Sequence, residues 1–320
     1  MALCEDLPLA IHSFTQHFRY FFSRLNPSPS FEQVASREYN TIKGLIESRN
    51  GLAAELSPAC FLQGSYRQQT AIYTINDIDI VVLCALWQPG AAGGRGRTYE
   101  RDEIFDIIAA PLLNDGRYCQ KARYGPDSMC IKVELGIKVE ILPVVYKSGN
   151  YDPQVEPFRL YRPEHQQWED GYARYHQAHL SQKNTPLRTG GNFIPAIKVL
   201  KHLRSRCALD AVSFHIECLL HSLPDGLFTG QPADYIPAIL GCIASIPAAT
   251  WYMAGCQTPC GERNIFTPSE WAFEHWTQFH NIVKLWGEAA QLANQAFDEA
   301  LAIKAWQTIL GSDFFPTRVS

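Results

Sequence analysis

The stretch from Phe61 to Leu83, FLQGSYRQQTAIYTINDIDIVVL, constrains the fold more tightly than any other part of the chain. Cys60-Phe61-Leu62 is a short apolar run that reads as a strand ending at Gln63. Gly64-Ser65 follows, then a polar segment with room for two helical turns. A second apolar run, Ile78 to Leu86, carries Asp77 and Asp79 at its mouth. Side chains two apart on a strand share a face. Asp77 and Asp79 therefore project together, while Ile78 and Ile80 face a core.

Two ionised carboxylates side by side repel unless a cation neutralises them. Mg²⁺ is the usual partner, because it takes carboxylate oxygens together with substrate phosphates. Gly64 and Ser65 supply the complement. A glycine lets a phosphate approach the backbone, and a helix N-terminus with a serine hydroxyl offers it donors. Anion cradle and metal ligands joined by one short helix predict a nucleoside-triphosphate site.

Gly-Ser, eleven residues, then Asp-hydrophobic-Asp resembles the signature of the polymerase-β-like nucleotidyltransferases. The flanking form, GSYRQQTAI…DIDIVV, resembles the bacterial relatives of cyclic GMP-AMP synthase, the CD-NTases of CBASS anti-phage defence. An isolated Asp-x-Asp means little; the order strand, Gly-Ser, helix, Asp-x-Asp, strand is far more specific.

The chain has 320 residues, enough for a large core, with 46% hydrophobic and 19% charged residues. That balance describes a globular protein, not a disordered one. A net charge of −4 argues against gripping long nucleic acid, which needs a basic face. No apolar run approaches the ~20 residues that span a bilayer. The first residues, MALCEDLPLAIHSF, lack the basic start and long apolar stretch of a signal peptide. Ten cysteines are scattered without the spacing of a disulfide scaffold. The expected setting is the cytoplasm, with no membrane and no long nucleic acid as partner.

Residues 7–25 place Leu7, Ile11, Phe14, Phe18, Phe21, Phe22 and Leu25 at helical spacing. Pro27 and Pro29 break that helix. Ser30 is a candidate N-cap for a second, over Phe31 to Glu47. The glycine-rich segment Gln88–Thr98, with Arg95 and Arg97, reads as a mobile surface loop. A helix over Glu100–Ala110 follows, then strands over Ser128–Leu135 and Ile137–Val145. The resembling family carries a third metal ligand on a strand beside the Asp-x-Asp strand, followed shortly by proline. Glu140-Ile141-Leu142-Pro143 matches that position and Glu134 does not, although the family more often has aspartate there.

From about Pro157 the strand pattern gives way to helices. Asn192–Arg206 is amphipathic, with Ile194, Ile197, Leu200 and Leu203 inward and its basic residues mostly on the other side. It resembles the family helix whose lysine touches the triphosphate, which implies that role for Lys201, with Lys198 one turn earlier. Ser213-Phe214 resembles the start of the family's next helix, implying a phosphate contact for Ser213 and base stacking for Phe214. His215, Cys218 and His221, and Cys256 with Cys260, lack a complete ligand set and read as ordinary buried groups. Helices over Trp271–Leu285 and on through Ala300 precede IKAWQTILGSDFFP, which is similar to the family's closing Trp-x-x-x-Phe-Gly-x-x-Phe-Pro. Leu310 replaces a Phe there, and Phe315 adds one residue before Pro316.

The expected fold class is α/β (α+β): a polymerase-β-like nucleotidyltransferase core with a mixed sheet, plus a C-terminal helical lobe. The expected parts are a helical brace over 1–50, the catalytic core over 51–160 and the helical lobe over 161–320. The resemblance implies a monomeric cyclic oligonucleotide synthase. It binds NTPs such as ATP and GTP with two Mg²⁺, Mn²⁺ being a substitute ion, and its cyclic product is read by a downstream effector. Gly64, Ser65, Lys198, Lys201, Ser213 and Phe214 would bind nucleotide; Asp77, Asp79 and Glu140 would hold metal and catalyse. Two other readings stay open: a nucleotidyltransferase for an RNA end, protein or small molecule, and a catalytically silent nucleotide-binding regulator.

Overall fold

The computed structural model describes residues 14–85, 87–88, 97–146, 157–163 and 166–319. The early part of the expected first helix and residues 89–96 of the glycine-rich segment lie outside them. Packing divides the chain into two units: Pro27–Gln177, and the stretch up to Asn26 together with Ala178–Ser320. This differs from a division at 50 and 160, and the reason is aromatic packing. The first helix, α1 (Thr15–Leu25), places Phe18 5.0 Å from Trp306 and 5.2 Å from Phe315.

The Pro27–Gln177 unit opens with α2 (Pro29–Ile46). Ser28, not Ser30, caps it: the Ser28 hydroxyl accepts from the Phe31 amide at 3.2 Å, and Pro29 occupies the first turn, where no amide donor is needed. Then come β1 (Ala59–Gln63), the one-turn α3 (Gly64–Arg67) and β2 (Asp77–Cys84). A two-residue pair, β3 (Trp87–Gln88) with β4 (Arg97–Thr98), precedes α4 (Arg101–Leu113). β5 (Ala122–Arg123), β6 (Ile131–Glu134) and β7 (Lys138–Tyr146) follow.

β8 (Phe158–Arg162) and β9 (Gln167–Gly171) correct the expectation that strands cease near residue 157. Both are mostly half-buried along their length, so neither shows the alternation that marks a strand in sequence. Pairing decides them: Val144 of β7 lies opposite Leu160, and Leu160 opposite Glu169.

The sheet runs β1-β2-β7-β6-β5, with β8 also on β7 and β9 on β8. β2 and β7 are parallel and every other pair is antiparallel, so the sheet is mixed. One face is the main core of this unit, where Ile78, Ile80 and Val82 meet Ile42 of α2 and Ile104 and Ile108 of α4. On the other face Val81, Leu83, Val144 and Phe158 form a small cluster with Phe61. Asp77 and Asp79 continue the Val81–Leu83 row. The first turn of α5 (Ala173–Lys183) also joins that cluster, through Ala173.

In the helical unit, α6 (Pro186–Thr189), α7 (Phe193–Arg206) and α8 (Ser213–Ser222) precede α9 (Pro232–Ser245) and α10 (Ala248–Ala254). α11 (Phe273–Gln295) and α12 (Glu299–Leu310) close the chain. α11 starts after Trp271 and runs ten residues past Leu285. The next helix begins only at Glu299, because Asp298 accepts from the Ala300 and Leu301 amides and sets its N-cap. Among the described residues no single helix is long and apolar enough to cross a membrane; α9 and α10 pass that test only as a pair bent by 82°.

Candidate active site

β1 delivers the chain to Gly64 beside β2, with Gln63 opposite Asp79. Gly64 has φ +73°, the left-handed region that favours glycine. A Cβ at this position would lie 1.9 Å from Asp79 Oδ2 and 2.9 Å from its Cγ. Only a residue without a side chain lets this turn close on the carboxylate. α3 is one turn rather than two, and Gln69, at φ +61°, lies just beyond it. The Ser65 carbonyl accepts from both Thr70 and Ala71 amides at 3.0 Å, which ties the return path toward β2.

β2 and β7 run in parallel register with Asp79 opposite Glu140 and Asp77 opposite Lys138. Paired residues of neighbouring strands point to one face, so Asp77, Asp79 and Glu140 share the face of the Val81 row. Glu134 lies one strand further out, opposite Lys138. Burial, then the charges of Asp77 and Glu140, push the Asp79 carboxyl up to about 7. Lys132 Nζ stands 3.9 Å from Glu140 Oε1, both groups well exposed, and offsets little of this charge.

Among the described residues no three His, Cys, Asp or Glu side chains already stand in ligating geometry. The donor chemistry nevertheless fits a hard divalent cation. The oxygens are carboxylates, and burial together with the charges of Asp77 and Glu140 raises Asp79, a penalty that a bound cation would relieve. All nine described cysteines are free thiols. His215 is buried against Trp271, with its Nε2 3.3 Å from Glu270 Oε2.

A cationic feature that sequence reasoning missed lies on the same sheet face. The Arg174 guanidinium stands over the Phe61 ring, 4.0 Å from its centroid. Arg174, Gln177, Arg67, Phe61 and Gly64 line one narrow slot. Helical spacing alone does not mark Arg174, since nothing local ties the start of α5 to β1.

The remaining candidates lie in the helical unit. Lys198 Nζ donates to Asn26 Oδ1 at 2.8 Å. Lys201 is 1% exposed and donates to Glu217 Oε1 at 2.7 Å, contrary to the expectation of an outward basic face. Burial lowers its pKa, with Glu217 opposing. The signal was Glu217 itself, an acid inside the apolar run of α8. Ser213 Oγ accepts from Arg204 Nη1 at 3.2 Å. Phe214 packs on the helical core with the Arg263 guanidinium 5.1 Å from its ring centroid.

A mixed sheet with a Gly-Ser turn closed on paired carboxylates defines the polymerase-β-like nucleotidyltransferase fold. Within it, the chain resembles the bacterial cyclic GMP-AMP synthase-like CD-NTases in both sequence and structure. It is 24% identical over 247 residues to a cyclic UMP-AMP synthase of Rhodothermus marinus, covering 69% of this chain and 82% of that protein. The solved Rhodothermus marinus CdnE c-UMP-AMP synthase, with Apcpp and Upnpp, superposes at a TM-score of 0.64 with 20% identity, over 87% of this chain and 97% of the other. CdnC of E. coli MS115-1, in its complex with HORMA-deltaN, gives 0.70 at 15% identity over 96% and 98%. The Vibrio cholerae DncV cyclic AMP-GMP synthase gives 0.65 at 12% identity over 93% and 95%. No protein-family model matches the chain.

Proposed function

We propose that this protein joins NTPs into a cyclic di- or trinucleotide second messenger. The observation that carries the reading is the fit of Gly64 against Asp79, with Glu140 in register beside it. That arrangement sets a phosphate-approachable turn against a carboxylate group short of positive charge. Asp77, Asp79 and Glu140 would hold two Mg²⁺. When bound, the ions supply charge neutralisation at the α-phosphate and ease ionisation of the attacking hydroxyl.

The Gly64–Ser65 turn receives the triphosphate, and the Ser65 hydroxyl donates to it. A 2′- or 3′-hydroxyl oxygen of one nucleotide forms a bond to the α-phosphorus of another. The bond from that phosphorus to the β-phosphate bridging oxygen breaks, and its electron pair leaves with pyrophosphate. Glu140 takes the hydroxyl proton. A second such step closes the ring. In the helical unit, Lys198 and Ser213 are assigned to phosphate and Phe214 to base stacking. Lys201 serves the phosphate only by giving up part of its bond to Glu217. The product acts through a downstream effector in anti-phage signalling, and the synthase works as a cytoplasmic monomer. The 24% identity to a cyclic UMP-AMP synthase supports the cyclic-nucleotide product of this reading.

The test is thin-layer analysis of labelled NTPs incubated with the protein and Mg²⁺. A phosphatase-resistant product formed without added acceptor is expected. Labelling that depends on an added acceptor, or nucleotide binding without turnover, overturns cyclisation. Asp77→Ala with Asp79→Ala abolishes synthesis while the fold persists; near-wild-type product from that variant removes the carboxylates from the mechanism.

A further inference from the structure

The row of side chains through Asp79 does not stop at Glu140. Strand register gives it as Gln63 of β1, Asp79 of β2, Glu140 of β7, Lys132 of β6 and Arg123 of β5. Paired residues point to one face, and neighbouring strands lie about 4.8 Å apart. Lys132 therefore follows Glu140 on the side away from the Gly64 turn, two strands from Asp79. Ile131 and Val133 are fully buried beneath that face, whereas the Lys132 side chain is 63% exposed. Its ammonium stands 3.9 Å from Glu140 Oε1, beyond hydrogen-bond length.

The neighbouring cations are differently engaged. Arg123 is turned back on its own chain, donating to the Ala122 carbonyl at 2.7 Å and to the Gln120 carbonyl. Lys138, on the same face, lies between Asp77 and Glu134 in register, so its charge falls between two carboxylates. Cys130, two residues before Lys132, is buried; burial and then Glu140 push its thiol up to about 11, with Lys132 opposing. Lys132 thus acts on the ground beside Glu140.

Nucleotidyl transfer brings two nucleotides to this face. The donor triphosphate enters at the Gly64–Ser65 turn, and the acceptor presents its hydroxyl to Glu140. The acceptor's own phosphates are repelled by the carboxylates and by the donor triphosphate. They run outward along the row, where the next side chain is Lys132. A lysine ammonium is a compact point charge with three donors, suited to phosphate oxygens.

We propose that Lys132 binds the phosphates of the acceptor nucleotide and makes the site select an NTP rather than a nucleoside as acceptor. This rests on the nucleotidyl-transfer reading and names the acceptor side of that same site. The acceptor hydroxyl oxygen bonds to the donor α-phosphorus, and the bond from that phosphorus to the bridging oxygen breaks. Pyrophosphate leaves with the electron pair, and the hydroxyl proton goes to Glu140. Lys132 supplies charge and exchanges no proton.

The test uses the full chain with Mg²⁺ and a saturating α-labelled 2′,3′-dideoxy-NTP, a donor with no hydroxyl to attack with. The unlabelled acceptor is an NTP or the matching nucleoside, each base being tried, and labelled linear dinucleotide is measured. Wild type should prefer the NTP acceptor by kcat/KM. Lys132→Gln should narrow that preference by about fivefold or more, the scale of one lost charge-assisted contact at a solvated site. The donor KM and the melting temperature should stay near wild type. Lys132→Arg should restore much of the preference, and high salt should shrink the difference between wild type and Lys132→Gln. An unchanged preference in Lys132→Gln overturns the assignment and leaves nucleotidyl transfer standing. An equal loss in Arg123→Gln also overturns it, by showing a diffuse field instead of a contact. A wild type that forms neither this product nor a cyclic product from ordinary NTPs overturns both readings.

Discussion

Gly64 and Asp79 are fitted to one another: a Cβ on residue 64 would come within 1.9 Å of Asp79 Oδ2. The glycine also holds φ +73°, so a side chain is excluded twice, by backbone conformation and by the carboxylate. Gly64→Ala should lower stability by about 1–2 kcal/mol and cut turnover at least ~10²-fold by displacing the carboxylate. The stability losses should not be additive. In Gly64→Ala with Asp79→Ala the clash is gone, and the denaturation midpoint should move back toward that of Asp79→Ala alone.

Glu140 and Glu134 make a matched comparison, since both are carboxylates on neighbouring strands of one sheet face. Glu140 lies opposite Asp79, whereas Glu134 lies opposite Lys138. Glu140→Gln should lower turnover by ~10²-fold or more while triphosphate binding survives. Glu134→Gln should keep near-wild-type turnover. An inactive Glu134→Gln beside an active Glu140→Gln would show that the third carboxylate is misassigned.

Lys201 and Glu217 form a buried ion pair at 2.7 Å, with side chains 2% and 4% exposed. Removing one partner strands the other charge. Lys201→Met should cost about 3–5 kcal/mol. Lys201→Met with Glu217→Leu should recover most of it, because a well-packed apolar pair replaces two desolvated ions. Chemical denaturation of the two variants measures the difference. A double variant as unstable as the single one would contradict this account.

His202 is fully buried, and its Nε2–H donates to the Leu310 carbonyl at 2.8 Å. Burial, with Arg206 nearby, pushes its pKa down to about 4, against the opposing pull of that carbonyl. Between about 6.5 and 4 the unfolded chain binds a proton that the folded chain refuses. Stability therefore falls as pH falls through that window, by roughly 3 kcal/mol from this group. Above 6.5 the contribution is flat. His202→Gln should show a shallower acid slope in denaturation series at pH 7, 5.5 and 4.5. A slope as steep as wild type would place the acid sensitivity elsewhere.

What the sequence determined by itself was local. The apolar runs ending at Gln63 and starting at Ile78, the glycine between them and the two-residue spacing of Asp77 and Asp79 all act within a few residues. They set strand, turn and facing without help from distant chain. The strands β6 and β7 and the helices α2, α4 and α7 were legible for the same reason, whereas α8 came only from the family resemblance at Ser213-Phe214. Contacts between distant residues decided the rest. β8 and β9 are strands because β7 pairs with one and that one with the other, not because their side chains alternate. α1 joins the helical unit because Phe18 meets Trp306 and Phe315. Lys201 turns inward because Glu217, on another helix, compensates its charge. Arg174 lies over the ring of Phe61, more than a hundred residues away in sequence, a contact that only the packed unit brings about. Periodicity records which side of an element is apolar; it cannot record which remote side chain will satisfy a buried charge or lie beneath a cation, since that depends on the packing of the whole unit.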